Sequence, residues 1–158
     1  MRNEMNQIGN LKKFIKGFLG RFASILVFPH SLIGWIHKIR GVKFKNFKKV
    51  FFAFDVYIDG RTPELVTLGE DVWLTRGVKI LSHFHPPLGL IEYVGEMIEK
   101  PVVIGDHVFI GMNSVILPGV HICNNVIVGA GSIVTKSILY PGIYGGNPCK
   151  FIKLLEKK

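Results

Sequence analysis

The sequence predicts an all-β fold, a parallel β-helix of about four triangular coils behind a helical N-terminal segment. Three observations predict it. Aliphatic residues recur every six positions, at Leu68, Leu74 and Ile80 and again at Ile104, Ile110, Ile116, Ile122, Val128 and Val134. Glycine follows several of them, at Gly69, Gly105, Gly111 and Gly129. A valine or a small residue stands two positions ahead, at Val66, Val72, Val78, Val108, Ser114, Val120 and Val126. An α-helix repeats every 3.6 residues and a strand every two, so neither has a reason to place glycine on a six-residue schedule. A coil of three short strands does: each side points one aliphatic inward, and the tight corner after it favours glycine or a small polar residue. Coils of 18 residues then stack by parallel pairing, each burying the next.

Two parts follow from the pattern: a helical, basic segment over residues 1–49 and a solenoid domain over residues 50–158. In the first, apolar residues at Leu11, Phe14, Ile15, Phe18, Leu19 and Phe22 have helix spacing. Pro29 ends or kinks that helix, and a second short one is expected from Ser31 to Arg40. With Lys12, Lys13, Lys16, Arg21, Lys38 and Arg40 among the apolar residues, these helices can pack across the open end of the coils. They can also lie on an anionic membrane surface, and the two readings are compatible. The run GVKFKNFKKV adds Lys43, Lys45, Lys48 and Lys49, either a charged flank or an attraction for phosphate or membrane.

An irregular first coil is expected at Val50, Val56 and Thr62, and regular ones at 68–80, 104–116 and 122–134. After Ile80 the next coil is due at residue 86 but resumes at Ile104, so a loop of roughly 86–103 leaves the solenoid. It contains Pro86, Pro87, Gly89, Gly95 and Pro101, and long loops in compact domains usually carry function. The tail is turn-rich at YPGIYGGNP and ends basic, CKFIKLLEKK.

With 48% hydrophobic and 20% charged residues, the 158-residue chain has a globular composition. Its net charge of +9 suits a nucleotide-bearing cofactor, a membrane face or nucleic acid, but no recognition helix or base-stacking module can be placed, which argues against nucleic acid. Cys123 and Cys149 lack metal-ligand spacing and read as free thiols. The polar start MRNEMNQIGN has no signal-peptide layout, and no run is long enough to span a bilayer, so a cytoplasmic location is expected.

The stretches VTLGEDVWLTRGVKILSHFHP, KPVVIGDHVFIGMNSVILPGVHI, VIVGAGSIVTKSI and GGNPCKFI together resemble the hexapeptide-repeat acyltransferases. Most similar is the maltose and galactoside O-acetyltransferase branch, with its capsular and lipopolysaccharide O-acetyltransferase relatives. The resemblance runs from about Leu65 to Ile152. It implies a left-handed parallel β-helix, a homotrimer with active sites between neighbouring solenoids, acetyl-CoA as donor, a saccharide, nucleotide-sugar or lipid-linked sugar acceptor, and no metal. It places the family's catalytic histidine on His85, five residues after Ile80, ahead of Pro86 and in register with Gly95-Glu96. On the coenzyme side it implies Phe109, Met112, Gly129, Ala130, Thr135, Lys136, Lys150 and Lys153. Met112 stands where the family has a small residue, and lysines stand where arginines are common, without the bidentate fork. On the acceptor side it implies Asp55, with His83 and Glu96 nearby.

The residues suit that chemistry. Acetyl transfer to a hydroxyl needs a base that titrates near neutrality, which histidine is. It also needs an oxyanion donor, which a backbone N–H at a glycine corner can be. No GxSxG motif is present, and none is required if the hydroxyl attacks the thioester directly. Glu96 or Asp55 is expected to orient His85 or hold a sugar hydroxyl. His83 is a bystander, an acceptor contact or the competing base; His107 and His121 sit in ordinary repeat positions. A metal enzyme on this fold needs two histidines five apart, but Met112 follows His107 and Val126 follows His121 at that distance. An amino sugar, serine or an antibiotic remains the alternative acceptor.

Overall fold

The computed structural model describes residues 14–21 and 30–156. The chain winds into a prism with three parallel sheets for sides. The first stacks Lys43–Phe44, Val66–Leu68, Val102–Ile104 and His121–Ile122; the third stacks Tyr57–Ile58, Lys79–Ile80, Val115–Ile116 and Ile133–Val134. The second stacks Phe51–Phe52, Trp73–Leu74, Val108–Ile110, Val126–Val128 and Gly142–Gly145, and Lys150–Lys153 folds back antiparallel on the last of these. The result is a left-handed β-helix of four coils, capped at its N-terminal end by helices.

The six-residue repeat sets the register. Phe52, Leu74, Ile110 and Val128 form one inward column, and Ile58, Ile80, Ile116 and Val134 another. Both they and the aliphatics two positions ahead are buried, each worth about 1.5–3 kcal/mol of apolar transfer. The corners explain the glycine and Asx schedule. The third residue after each inward position takes positive φ at Asp71, His107 and Asn125 on one edge, and at Asp55, Gly77, Asn113 and Gly131 on the next. Asn and Asp tolerate that conformation better than most residues, and glycine takes it freely. At Gly111 the coils stack so closely that a Cβ would lie 2.4 Å from the Ala130 backbone nitrogen.

The first coil differs from expectation. It begins at Lys43–Phe44, which pairs with Thr67 and Leu68. Its innermost residues are Phe52 and Ile58, two positions beyond the expected Val50 and Val56. Thr62 precedes a short 3-10 turn at Pro63–Leu65 rather than forming a side. Those extra residues offset the period, which a search for steps of six cannot follow.

The expected loop is present, and its stem is a two-stranded antiparallel ribbon, His83–Phe84 against Ile98–Glu99. Its outer part holds a 3-10 turn at Leu88–Leu90 and a helical turn at Ile91–Val94. His83 occupies the corner column in which Gly119 has φ of 84°. Instead of turning there, the chain runs straight out into the ribbon.

Residues 14–21 are helical, and the cap helix His30–Arg40 closes the open end with Ile33, Ile36, His37 and Arg40. His37 stacks on Phe52, ring centroids 5.1 Å apart. Of the expected apolar stripe, Leu19 packs on the core while Phe14, Ile15 and Phe18 face outward. Leu11 and Phe22 lie outside the described residues.

Candidate active site

The site is built where the third sheet turns into the first. Asp59, the residue after the inward Ile58, is fully buried. Its Oδ1 accepts the Arg61 backbone N–H at 2.9 Å, an Asx turn. Its Oδ2 accepts the backbone N–H of Ser82 at 2.8 Å and of His83 at 3.1 Å. The same oxygen accepts the His83 ring Nδ1–H at 2.7 Å. Burial opposes ionisation of this carboxyl. The N–H groups of Ser82 and Arg61 and the His83 ring outweigh it and hold the group below the ordinary carboxylate range. Thr62 and Ser82 complete the buried polar cluster, their hydroxyls 2.7 Å apart and the Ser82 hydroxyl donating to the Thr62 carbonyl at 3.0 Å.

Arg40 of the cap helix holds this turn from below. It donates to the carbonyls of Ile58 at 3.0 Å, Asp59 at 2.8 Å and Lys16 at 2.7 Å, and to His37 Nδ1 at 2.7 Å. Burial, outweighing the attraction of Tyr57 and Asp59, lowers its pKa to about 10. Burial first and Arg40 second push His37 down to about 3, so it is a neutral ring that accepts from the guanidinium. From above, Arg61 Nε meets Glu99 Oε1 of the ribbon at 3.3 Å, and Glu99 pairs with His83 across that ribbon.

His85 follows on the exit segment, exposed, its Nδ1 donating to the Pro86 carbonyl at 2.9 Å. A carbonyl only accepts, so this bond leaves the lone pair on Nε2, and the Asp59 carboxylate does the same for His83. The strand ends at Phe84, and His85 follows His83 by two positions, so the exit segment carries two imidazoles, each oriented through its own Nδ1 bond.

The other expected residues divide between edges. Thr135 and Lys136 are exposed on the histidine edge, two coils along from Leu81 and Ser82, about 10 Å by strand spacing. Met112, Gly129 and Ala130 lie at the opposite edge of the third sheet, where the second sheet turns into it; Phe109 is mid-strand in the second sheet, and Lys150 and Lys153 stand exposed on the terminal hairpin of that sheet. Asp55 also lies on that opposite edge, in the positive-φ corner column, and Glu96 is exposed in the loop. Neither meets His85, whose orienting partner is the Pro86 carbonyl. The carboxylate that holds His83, Asp59, has no signal along the chain beyond the Asp-Gly-Arg-Thr-Pro turn.

His107 takes a corner φ and pairs with Asp71 at 3.1 Å, on an exposed groove with Trp73 and Phe109, away from the histidine pair. His121 is exposed, its backbone N–H donating to Ser137. Among the described residues no three His, Cys, Asp or Glu side chains are grouped to hold a metal ion.

The hexapeptide repeat of succinyl-transferase matches residues 101–136. The chain is 41% identical over 93 residues to the galactoside O-acetyltransferase of Escherichia coli (strain K12). That alignment covers 59% of this chain and 46% of that protein, so the chain spans about half the length of this relative. It is 30% identical over 148 residues to the proposed acetyltransferase YvoF of Bacillus subtilis (strain 168), covering 93% and 78% of the two. A solved galactoside acetyltransferase in complex with coenzyme A superposes with a TM-score of 0.69 at 27% identity, over 94% of this chain and 82% of that one.

Proposed function

Because this chain belongs to the hexapeptide-repeat acetyltransferases, we propose that it moves an acetyl group from acetyl-CoA to a hydroxyl of a saccharide, with His85 as general base. The observation that carries the reading is the exit segment with two imidazoles, each tied at Nδ1 and open at Nε2. His85 Nε2 takes the hydroxyl proton as the oxygen attacks the thioester carbonyl. A backbone N–H at a glycine corner steadies the oxyanion. The C–S bond then breaks, and His85 returns the proton to the departing thiolate, giving the acetyl ester and free coenzyme A. His83, held by Asp59, contacts a neighbouring acceptor hydroxyl and sets the orientation of the sugar.

The residues implied for the coenzyme support a trimer. One set lies with His85, while Met112, Gly129 and Ala130 lie a full sheet width away and Phe109 stands farther round, in the second sheet. A three-fold arrangement sets the histidine edge of one protomer against the coenzyme edge of the next, completing the site and excluding water. Lys150 and Lys153 then neutralise the coenzyme phosphates.

The test is thiol release from acetyl-CoA by the full chain, with methyl pyranosides, nucleotide sugars and amino sugars as acceptors. Acceptor-dependent release with a hydroxylamine-labile product is expected. Release no faster than the acceptor-free control would sink the reading. Hydroxylamine-stable amides made only from amino sugars would sink transfer to oxygen.

A further inference from the structure

The charge of this chain is divided by position. Residues 1–49 hold eleven of the 20 Lys and Arg and one of the 11 Asp and Glu, a net of +10; the remaining residues sum to −1. Much of the solenoid-facing share is internally bound. Arg40 is buried, Lys16 pairs with Glu64, Lys45 with Asp106 and Lys49 with Glu70. Lys38, Lys43 and Lys48 are exposed and have no carboxylate partner among the described residues, Lys38 lying over the Phe47 ring at 5.1 Å.

The cap helix is apolar on two faces. Ile33 and Ile36 point into the coil, while Leu32, Trp35 and Ile39, spaced as one stripe, point away from it. Trp35 is 51% and Ile39 55% exposed. The neighbouring helical residues 14–21 add Phe14 and Phe18, at 71% and 65%. A helix that only plugged a solenoid end would be polar outside. Apolar and aromatic residues flanked by unpaired lysines fit the boundary of an anionic bilayer, where rings enter the headgroup layer and ammonium groups meet lipid phosphate.

We propose that this cap is a docking surface for an anionic phospholipid bilayer, with Trp35 and Ile39 inserting and Lys38, Lys43 and Lys48 supplying the attraction. The charge partition selects the partner: a second copy presents the same positive end and repels it. No helix among the described residues is long and apolar enough to cross a membrane; the contact proposed is that of the exposed cap face with the headgroup layer.

The test is co-sedimentation of the full chain with phosphatidylcholine vesicles, with and without phosphatidylglycerol, at low and high salt. Binding is expected only with phosphatidylglycerol and is expected to weaken with salt. Trp35→Ser with Ile39→Ser, and separately Lys38→Glu with Lys43→Glu and Lys48→Glu, should each weaken it at least tenfold or so. All these side chains are exposed, so the thermal midpoint should hold in both variants. No vesicle binding, equal binding to neutral vesicles, or undiminished binding by either variant would overturn the proposal. Concentration-dependent self-association that the Trp35/Ile39 variant abolishes, without vesicle binding, would also overturn it and make a second copy the occupant.

Discussion

Replacing Asp59 with asparagine tests both the stability and the chemistry of the histidine edge. The carboxylate accepts four hydrogen bonds of 3.1 Å or less, from Arg61, Ser82 and twice from His83. Asparagine is nearly the same size but presents one acceptor oxygen and one NH2 group. In either orientation, at least one buried backbone N–H then faces another donor, at a cost of about 1–3 kcal/mol. Weakening the remaining charge-assisted bonds adds roughly 1 kcal/mol. Asp59→Asn should therefore lower unfolding free energy in urea by about 2–4 kcal/mol. It should also lower kcat/KM for the acceptor by about 10- to 100-fold, because His83 loses its fixed tautomer. His83→Gln should cost the same in acceptor kcat/KM, with KM for acetyl-CoA unchanged. The double variant should be no worse than either single one, since both remove one unit. By contrast, His85→Ala should lower kcat by about 10²–10⁴-fold, the worth of a positioned base. The assay is steady-state thiol release with the acceptor found in the screen, on variants checked by circular dichroism. An additive double variant would refute the Asp59–His83 unit. If His85→Ala keeps near wild-type kcat while His83→Gln is inactive, the base is His83.

Lys150→Ala with Lys153→Ala should raise KM for acetyl-CoA more than it lowers kcat; an unchanged KM would remove both from the coenzyme site. Sedimentation at micromolar concentration should show a trimer, and an active, stable monomer would defeat the shared site. The buried His37 makes folding sensitive to acid. Below pH 6.5 the unfolded chain takes up a proton that the folded ring, pushed to about 3, does not. Stability is therefore full above 6.5 and declines as pH falls towards 3, by up to about 1.4 kcal/mol per pH unit. His37→Gln keeps an acceptor for Arg40 and should flatten that slope between pH 6.5 and 4.5 in urea titrations; an unchanged slope would refute the assignment. Asp59, held low, adds its own loss only below the ordinary carboxylate range.

The solenoid was legible because each coil repeats one local problem. Leu68, Leu74 and Ile80 must point inward and the chain must turn after each, so residue type repeats with position. The extruded loop was legible for the same reason, as an interruption in that count. Tertiary structure decided what depends on residues far apart in sequence. Asp59 meets His83 across 24 positions, through a turn whose irregular length hides it from any period. Arg40, which reads in sequence as one more surface cation, is buried because Ile58, Asp59, Lys16 and His37 converge to satisfy its guanidinium. Asp55 stands in a positive-φ corner column on the edge of the third sheet opposite the histidines, a separation that only the winding of the coils makes visible. Periodic hydrophobic burial is written locally and can be counted along the chain. A buried polar group is tolerated only where several distant donors and acceptors meet, and only folding brings them together.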